Sequence, residues 1–281
     1  MKENSLMKKF LLVYLPVILG ALIMFYPLVW MVSSSFKPEL MIFKDLGIWP
    51  KQFTLDNYID GWSGAGRISF STYYLNTFLI VLLVIIGNMI TCSMTAYAFA
   101  RFKFPLKNIL FSLMLATMML PVHAVLIPQY TIFYNLGWTN SYLPLIIPKF
   151  FATDAFFIFL IVQFIRGLPS QLDEAATIDG CNKFDIYYKI IIPLCTPALV
   201  TTAIFTCIWT YNDFFSQLLY ISEPKKYTVS LGLKLFLDST GQSSFGQLFA
   251  MSSLSLLPVT IFFIMFQKLL VEGVATSGIK A

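Results

Sequence analysis

The sequence predicts an all-helical protein that crosses a membrane several times. Of its 281 residues, 58% are hydrophobic and only 12% are charged, and the mean hydropathy is +0.76. So little polar surface cannot cover a soluble globule of this length. The apolar residues also fall into six runs, each close to the ~20 residues that an α-helix needs to cross a bilayer. We expect helices in these runs because backbone polar groups in lipid must be hydrogen-bonded within the protein.

The six predicted membrane spans alternate with polar segments. They lie at about residues 10–32, 74–100, 108–128, 142–165, 197–221 and 248–270. The first run is longer than the apolar core of a signal peptide, and no small-residue cleavage pattern ends it, so we interpret it as an uncleaved span. Pro121 and Pro128 predict a break or kink in the third span. Residues 33–72, which contain several Gly and Pro residues, are predicted to form an exposed extramembrane segment.

The distribution of positive charge predicts which side of the membrane each loop faces. Arg101, Lys103 and Lys107 lie in the short loop after the second span without any acidic residue, whereas residues 129–141 contain no Lys or Arg. Short loops rich in Lys and Arg remain in the cytosol. We therefore expect both termini in the cytosol. The predicted division of the chain is a first span and extracytoplasmic segment at 1–72, a membrane core at 73–270 and a cytosolic tail at 271–281.

The segment between the fourth and fifth spans is the most charged part of the second half and is predicted to form two short helices joined at Gly180. Ser170, three residues before Asp173, predicts a capping box at the start of the first helix. Gly180 is expected to adopt the left-handed conformation that ends many helices. The i, i+3, i+4, i+7 spacing predicts one partly aromatic stripe on the second helix, formed by Phe184, Tyr187, Tyr188 and Ile191. A small helical knob of this kind is suited to docking into a groove on another protein.

This segment carries a resemblance to a known family. Glu-Ala-Ala from Glu174, Asp179-Gly180 and then Ile190-x-x-Pro193, with thirteen residues from Gly180 to Pro193, resembles the coupling-loop signature in the membrane subunits of bacterial ABC importers. The flanking sequence is similar to the carbohydrate permeases of the maltose-transporter type. The resemblance implies a type I ABC importer transmembrane domain with its coupling loop at residues 167–196. The ATPase-coupling residues that it implies are Glu174, Ala175, Ala176, Asp179, Gly180, Phe184, Ile190 and Pro193.

The same resemblance implies a function and a set of partners. The chain is expected to be the permease subunit of an ATP-driven, binding-protein-dependent importer in the bacterial cytoplasmic membrane, and to form half of the translocation path for a sugar or oligosaccharide. The implied partners are a second permease chain in a heterodimer, two ATPase subunits and an extracytoplasmic solute-binding protein. The sequence contains no Gly-x-x-x-x-Gly-Lys-Ser/Thr motif. We therefore expect no cofactor on this chain, and ATP and Mg on the ATPase subunits.

The fifth span contains a cluster of aromatic and polar residues that resembles the one found at this place in sugar permeases. It comprises Trp209, Tyr211, Asn212 and Asp213. An ionisable group at membrane depth costs about 2.5–3.5 kcal/mol on insertion scales and usually faces a cavity or a partner. The aromatic faces could stack on a pyranose ring while Asn212 and Asp213 bond to hydroxyls, or these residues could bond only to neighbouring helices. Asp154 in the fourth span either faces the translocation path or is paired within the helix bundle.

Other classes of protein fit the sequence less well. An ion-coupled secondary transporter acting without an ATPase would need matched halves with coupling carboxylates in broken helices, and the sequence contains no internal repeat. A polytopic membrane enzyme or assembly factor would need a catalytic nucleophile with a base or a metal cluster. The single histidine, His123, lies in an apolar run and favours packing or pore lining over metal binding. We therefore predict that the chain is not an enzyme, and no basic run interleaved with aromatics indicates nucleic acid.

Overall fold

The regular structure of the protein is helical. The computed structural model describes residues 12, 14–64, 68–237 and 244–278, and in these ranges the chain forms helices and connecting loops without a strand. This confirms the predicted all-α class. The chain forms two compact units, the first made of Met1–Phe70 with Leu233–Leu257 and the second of Ser71–Gly232 with Pro258–Ala281.

The α-helices of the first half of the chain begin with a long apolar one. They are α1 (Leu15–Ser34), α2 (Asp56–Ser63), α3 (Phe70–Arg101), α4 (Lys107–Thr117), α5 (Val122–Asn135) and α6 (Leu143–Ile146). Short 3₁₀ helices occur at Glu39–Met41 and Ile147–Phe151. The first follows α1, and the second follows α6 directly.

The α-helices of the second half are mostly shorter. They are α7 (Ala155–Arg166), α8 (Gln171–Ile178), α9 (Lys183–Ile186), α10 (Ile192–Leu194), α11 (Thr196–Asn212), α12 (Phe215–Tyr220), α13 (Val229–Lys234) and α14 (Phe245–Gly278). A π-helical turn at Tyr187–Ile191 joins α9 to α10, and a 3₁₀ turn occupies Pro224–Lys226.

Only some of the predicted spans are single long helices. Among the described residues, four stretches are long and apolar enough to cross a membrane, Leu15–Ser34, Phe70–Arg101, Leu143–Arg166 and Phe245–Gln267. A fifth results if Lys183–Leu194 and Thr196–Asn212, which are bent by 75°, are taken as one. The predicted third span consists of α4 and α5, separated at residues 118–121 by the extended backbone of Pro121. The break expected at Pro121 is therefore confirmed, while the total of six spans stays a prediction.

In the first unit, the segment after α1 is partly buried, although its prolines and glycines predict an exposed segment. Lys37 is only 1% exposed, and its ammonium group donates to the carbonyls of Asp45 and Gly47 at 2.6 Å each. The Asn57 amide donates to the carbonyls of Ser35 and Lys37 at 2.8 Å each. These bonds satisfy a buried cation and fold the segment back on itself, because buried polar groups must find partners.

A distant carboxylate caps α14 within the same unit. The two carboxylate oxygens of Glu39 accept hydrogen bonds from the backbone N–H groups of Phe245 and Gly246, at 2.8 and 2.7 Å. Such N–H groups have no partner within their helix, and a negative charge is favourable at this positive end. A Cβ at Gly246 would lie 2.3 Å from the Asn57 amide oxygen. Glycine at this position therefore allows the start of α14 to lie against the Asn57 side chain.

The second unit contains the main apolar core. The buried residues of this core come from α3, α7, the coupling loop and the start of α11, and include Cys92, Ala96, Phe157, Ile161, Ala176, Ile186, Ile191 and Ala198. The coupling loop is therefore packed against the membrane helices that precede and follow it.

Candidate functional site

Gly180 forms the turn between the two helices of the coupling loop. Its φ is +85°, in the left-handed region that glycine adopts without steric cost. The N–H of Cys181 donates to the carbonyl of Ala176 at 2.9 Å, and the N–H of Gly180 donates to the carbonyl of Thr177 at 3.1 Å. This pair of bonds is the Schellman motif, which satisfies the last carbonyls of a helix. The predicted left-handed glycine is therefore confirmed.

The predicted capping box at Ser170 is wrong. Ser170 has helical backbone angles and its side chain caps nothing, while Asp173 forms an ion pair with Arg101 at 2.7 Å. The capping box lies instead at the start of α9, where Asn182 has extended backbone. The side-chain amide oxygen of Asn182 accepts from the N–H groups of Phe184 and Asp185 at 2.9 Å each, and the Asp185 carboxylate accepts from the N–H of Asn182. The Asn-x-x-Asp spacing could have indicated this cap from sequence.

The predicted stripe on the second helix is also wrong, because a π-helical turn at Tyr187–Ile191 changes the register. Ile186 and Ile191 are fully buried in the core. Tyr187 is half-buried, and its hydroxyl lies 2.8 Å from that of Ser93 on α3. Phe184 and Tyr188 point away from the core and are 66% and 65% exposed. The four residues therefore divide between a core-facing side and an outward-facing side.

The coupling loop exposes three large apolar side chains. Besides Phe184 and Tyr188, it presents Ile178, which is 86% exposed and which the sequence analysis did not single out. Most of the predicted coupling residues are exposed, namely Glu174, Ala175, Asp179, Gly180, Phe184 and Pro193. The remaining two predicted residues, Ala176 and Ile190, pack against the core instead. Large apolar residues that are exposed on a mostly polar loop are typical of an interaction surface.

Polar bonds attach the coupling loop to the inner end of α3. Arg101, the last residue of α3, forms its ion pair with Asp173 of α8 and donates to the carbonyl of Leu168 at 3.0 Å. The hydroxyl of Tyr97, one turn earlier, donates to the carbonyl of Lys183 in α9. In α9 itself, the pKa of Asp185 is lowered, first by its hydrogen bond with Lys189 and then by the N–H of Asn182. Both helices of the loop are thus linked to one membrane helix.

Asp154 lies in a network of polar residues within the predicted spans. Its carboxylate accepts from the ammonium group of Lys149 at 2.7 and 2.9 Å and from the amide of Asn88 at 2.6 Å. The same Asn88 amide lies 3.3 Å from the hydroxyl of Thr206. Ala152, with φ at +53°, turns the chain between the 3₁₀ helix and α7 so that Lys149 and Asp154 meet. Lys149, Asn88 and Thr206 were not predicted as site residues, although each is a polar residue in an apolar run.

The predicted fifth-span cluster does not gather around one point. Trp209 packs on the rings of α7, with centroid distances of 5.2 Å to Phe157 and 5.5 Å to Phe156, and is half-exposed. Tyr211 is buried. The Asn212 amide donates to the carbonyl of Ile208 in its own helix at 2.8 Å. Trp209 is therefore the member with both an aromatic setting and an open face.

Asp213 occupies the break between α11 and α12. Its carboxylate accepts from the N–H of Ser216 at 3.1 Å, in the first turn of α12. Its backbone carbonyl accepts from the hydroxyl of Ser230 at 2.7 Å. These contacts give Asp213 a positioning role at the break between the two helices. That role does not conflict with a second role in the translocation path.

The long apolar helices are those of a membrane protein, and comparison with known families agrees. The family model described as "binding-protein-dependent transport system inner membrane component" matches residues 89–276, more than half of the chain. The chain belongs to this family. It is therefore a multi-pass protein of the cytoplasmic membrane and a transport component, and the resemblance to ABC importer permeases is confirmed. A permease of this family works with an ATPase and a solute-binding protein.

Relatives match this permease over most of their length. It is 31% identical over 263 residues to the arabinooligosaccharides transport system permease protein AraQ of Halalkalibacterium halodurans, and the alignment covers 92% of each chain. It is 30% identical to the trehalose/maltose transport system permease protein MalG of Thermococcus litoralis, over 99% of each chain. A solved bacterial ABC transporter involved in import of the polysaccharide alginate contains a chain of the same fold, with a TM-score of 0.82, 22% identity and coverage of 95% of this chain and 98% of that one.

Proposed function

We propose that this permease forms half of the translocation path for a sugar or oligosaccharide, and that its coupling loop docks onto a separate ATPase subunit that binds ATP and Mg. The observation that carries the proposal is the exposure of three large apolar side chains, Ile178, Phe184 and Tyr188, on a loop that the charge distribution assigns to the cytosol. The carbohydrate assignment is supported by relatives whose names specify oligosaccharides or trehalose and maltose, and which align over 90% or more of this chain.

The coupling loop has the features that force transmission requires. Its two helices are locked together by the Gly180 turn, and its inner side is packed into the core. The ion pair of Arg101 with Asp173 and the hydroxyl contact of Tyr187 with Ser93 attach it to α3. Because packed elements move as rigid bodies, a displacement of the exposed side by an ATPase would move the inner end of α3. Glu174 and Asp179 are exposed on the same loop and suit polar contacts with the ATPase.

The proposed assembly has two permease chains, two ATPase subunits and one solute-binding protein. The second permease is proposed to be a different chain, in a heterodimer, as in importers of the maltose-transporter type that the sequence resembles. Both termini of this permease are proposed to lie in the cytosol, since the short loop at residues 101–107 carries three positive charges and the loop at 129–141 carries none.

The docking proposal is tested by replacing Phe184 with alanine in the intact complex. Large aromatic side chains at the centre of an interface commonly contribute about 2 kcal/mol or more, which is roughly a thirtyfold loss of affinity. Phe184→Ala should therefore release the ATPase subunits during purification, measured by their stoichiometry after size-exclusion chromatography. Trp49→Ala is the control, because Trp49 is also a highly exposed aromatic residue but lies in the predicted extracytoplasmic segment. Normal ATPase retention by Phe184→Ala would contradict the proposed docking surface.

A further inference from the structure

An open cavity lies where the cytosolic loop after α3 enters α4. Its volume is about 480 Å³, and it is lined by Lys103, Phe104, Leu106, Lys107, Asn108 and Ile109. Leu106 has a left-handed backbone, with φ at +60° and ψ at 9°, and so reverses the chain at the mouth of the cavity. The cavity is close to the predicted inner face of the membrane. It therefore has water on one side and lipid headgroups on the other.

The cavity is lined by two lysines, Lys103 and Lys107, with no carboxylate among its lining residues, and Arg166 is a third positive group near Lys107. Lys107 donates to the carbonyl of Phe102 at 2.7 Å, and the guanidinium of Arg166 lies over the ring of Phe111 at 5.0 Å. Within the part of the chain that the structure describes, no salt bridge involves Lys103, Lys107 or Arg166. The pKa of Lys107 is lowered, first by burial and then by the charges of Arg166 and Lys103. The charges of Arg166 and Lys103 act unfavourably on Lys107, and an anion close to these groups would offset that repulsion.

An apolar surface continues from this basic cavity along α4. Phe111 and Met114 hold one side of α4 against the core. The residues on its other sides are large, apolar and exposed, namely Leu106, Ile109, Leu110 and Leu113. No acidic residue lies in the first turn of α4, so the positive end of the helix adds to the field in the cavity. A positive cavity followed by an exposed apolar strip is complementary to an anionic phospholipid, in which a negative headgroup is followed by apolar acyl chains.

We propose that this cavity binds the phosphate headgroup of an anionic phospholipid of the inner leaflet. Lys103 and Lys107 bond to the phosphate, Arg166 adds a third positive charge, and the acyl chains lie along Ile109 and Leu113. The site is independent of the substrate that the importer carries. Because Arg166 ends α7 and the coupling loop begins at the next residue, the bound lipid holds the inner ends of α4 and α7 beside that loop.

The test measures lipid retained by the purified importer complex. The complex is taken from nanodiscs that contain phosphatidylglycerol and phosphatidylcholine, and the bound lipids are identified by native mass spectrometry. A basic residue near an anionic surface contributes about 1 kcal/mol, or roughly fivefold. Lys103→Gln should therefore reduce retained phosphatidylglycerol about fivefold, and the Lys103→Gln/Lys107→Gln pair should reduce it further, with phosphatidylcholine unchanged. Lys103 is exposed and forms no salt bridge with another described residue, so its single variant keeps the test valid if the pair fails to assemble.

The control removes the same charge elsewhere. Lys44→Gln/Lys51→Gln changes two exposed lysines of the predicted extracytoplasmic segment and should retain phosphatidylglycerol as the native complex does. Wild-type retention by Lys103→Gln and the double variant would overturn the proposal. A native complex that retains inorganic phosphate but no phosphatidylglycerol, with the phosphate lost in Lys103→Gln, would assign the cavity to a free anion instead. Loss of ATPase subunits without loss of lipid would assign it to the protein interface, and either result overturns the lipid site.

Discussion

Replacing Gly180 should uncouple ATP hydrolysis from transport. How strongly each substitution does so should depend on how readily the new residue adopts the backbone conformation of Gly180. The glycine has φ at +85°, and a Cβ built on it meets no other atom within 4 Å. The cost of a side chain is therefore conformational and not steric. For most residues the left-handed conformation costs about 1–2 kcal/mol, a roughly fivefold to thirtyfold fall in the population of the native turn. Asn enters this region more readily, and a β-branched residue enters it least readily.

We expect transport to fall least in Gly180→Asn, more in Gly180→Ala and most in Gly180→Val. Each variant is purified as the complete importer and reconstituted with its binding protein, and substrate uptake, ATP hydrolysis and ATPase-subunit stoichiometry are measured on the same sample. We expect Gly180→Val either to lose ATPase subunits or to hydrolyse ATP without importing substrate. Gly20→Ala is the control, because a Cβ there also meets nothing within 4 Å but the residue lies inside α1. It should be neutral or slightly stabilising.

One result would refute this reasoning. A Gly180→Val importer that retains its ATPase subunits, shows substrate-stimulated hydrolysis and transports at the native rate would show that the turn is not needed for coupling. An equal loss in the Asn, Ala and Val variants would show instead that any side chain blocks docking, so that the open space beside Gly180 is filled by the ATPase.

Three further predictions concern the membrane helices. Lys149→Gln should destabilise the complex by about 2 kcal/mol because it removes the charged hydrogen-bond partner of the partly buried Asp154 carboxylate. Lys149→Gln/Asp154→Asn should recover part of that loss in thermal unfolding, and an additive loss would contradict the ion pair. Asp213→Asn removes the charge but keeps the oxygen that accepts from the N–H of Ser216. If the charge contacts substrate, uptake should be impaired while assembly stays normal. Native uptake kinetics would leave Asp213 a positioning residue. Reporters active only outside the cell should be silent when fused after residue 104 or 180, and activity at either position would overturn the proposed topology.

The features that the sequence determined are those that depend on composition or on a few neighbouring residues. The all-helical membrane class follows from the scarcity of polar surface, and the break at Pro121 follows from its missing N–H and fixed φ. The left-handed turn at Gly180 is similarly local, since the helix end and the glycine are adjacent in the chain. In each case no distant partner has to be known.

Only the tertiary structure decided the features that depend on distant contacts. Asp173 has the correct spacing for a cap at Ser170, but Arg101 of α3 takes its carboxylate. The π-helical turn in the coupling loop lets both Ile186 and Ile191 enter the core, which the local 3.6-residue period does not anticipate. Glu39 caps a helix more than two hundred residues away, and Asp154 meets Asn88 across two helices. Buried charges and apolar groups take whichever partner the packed fold brings near, and sequence spacing does not encode that choice.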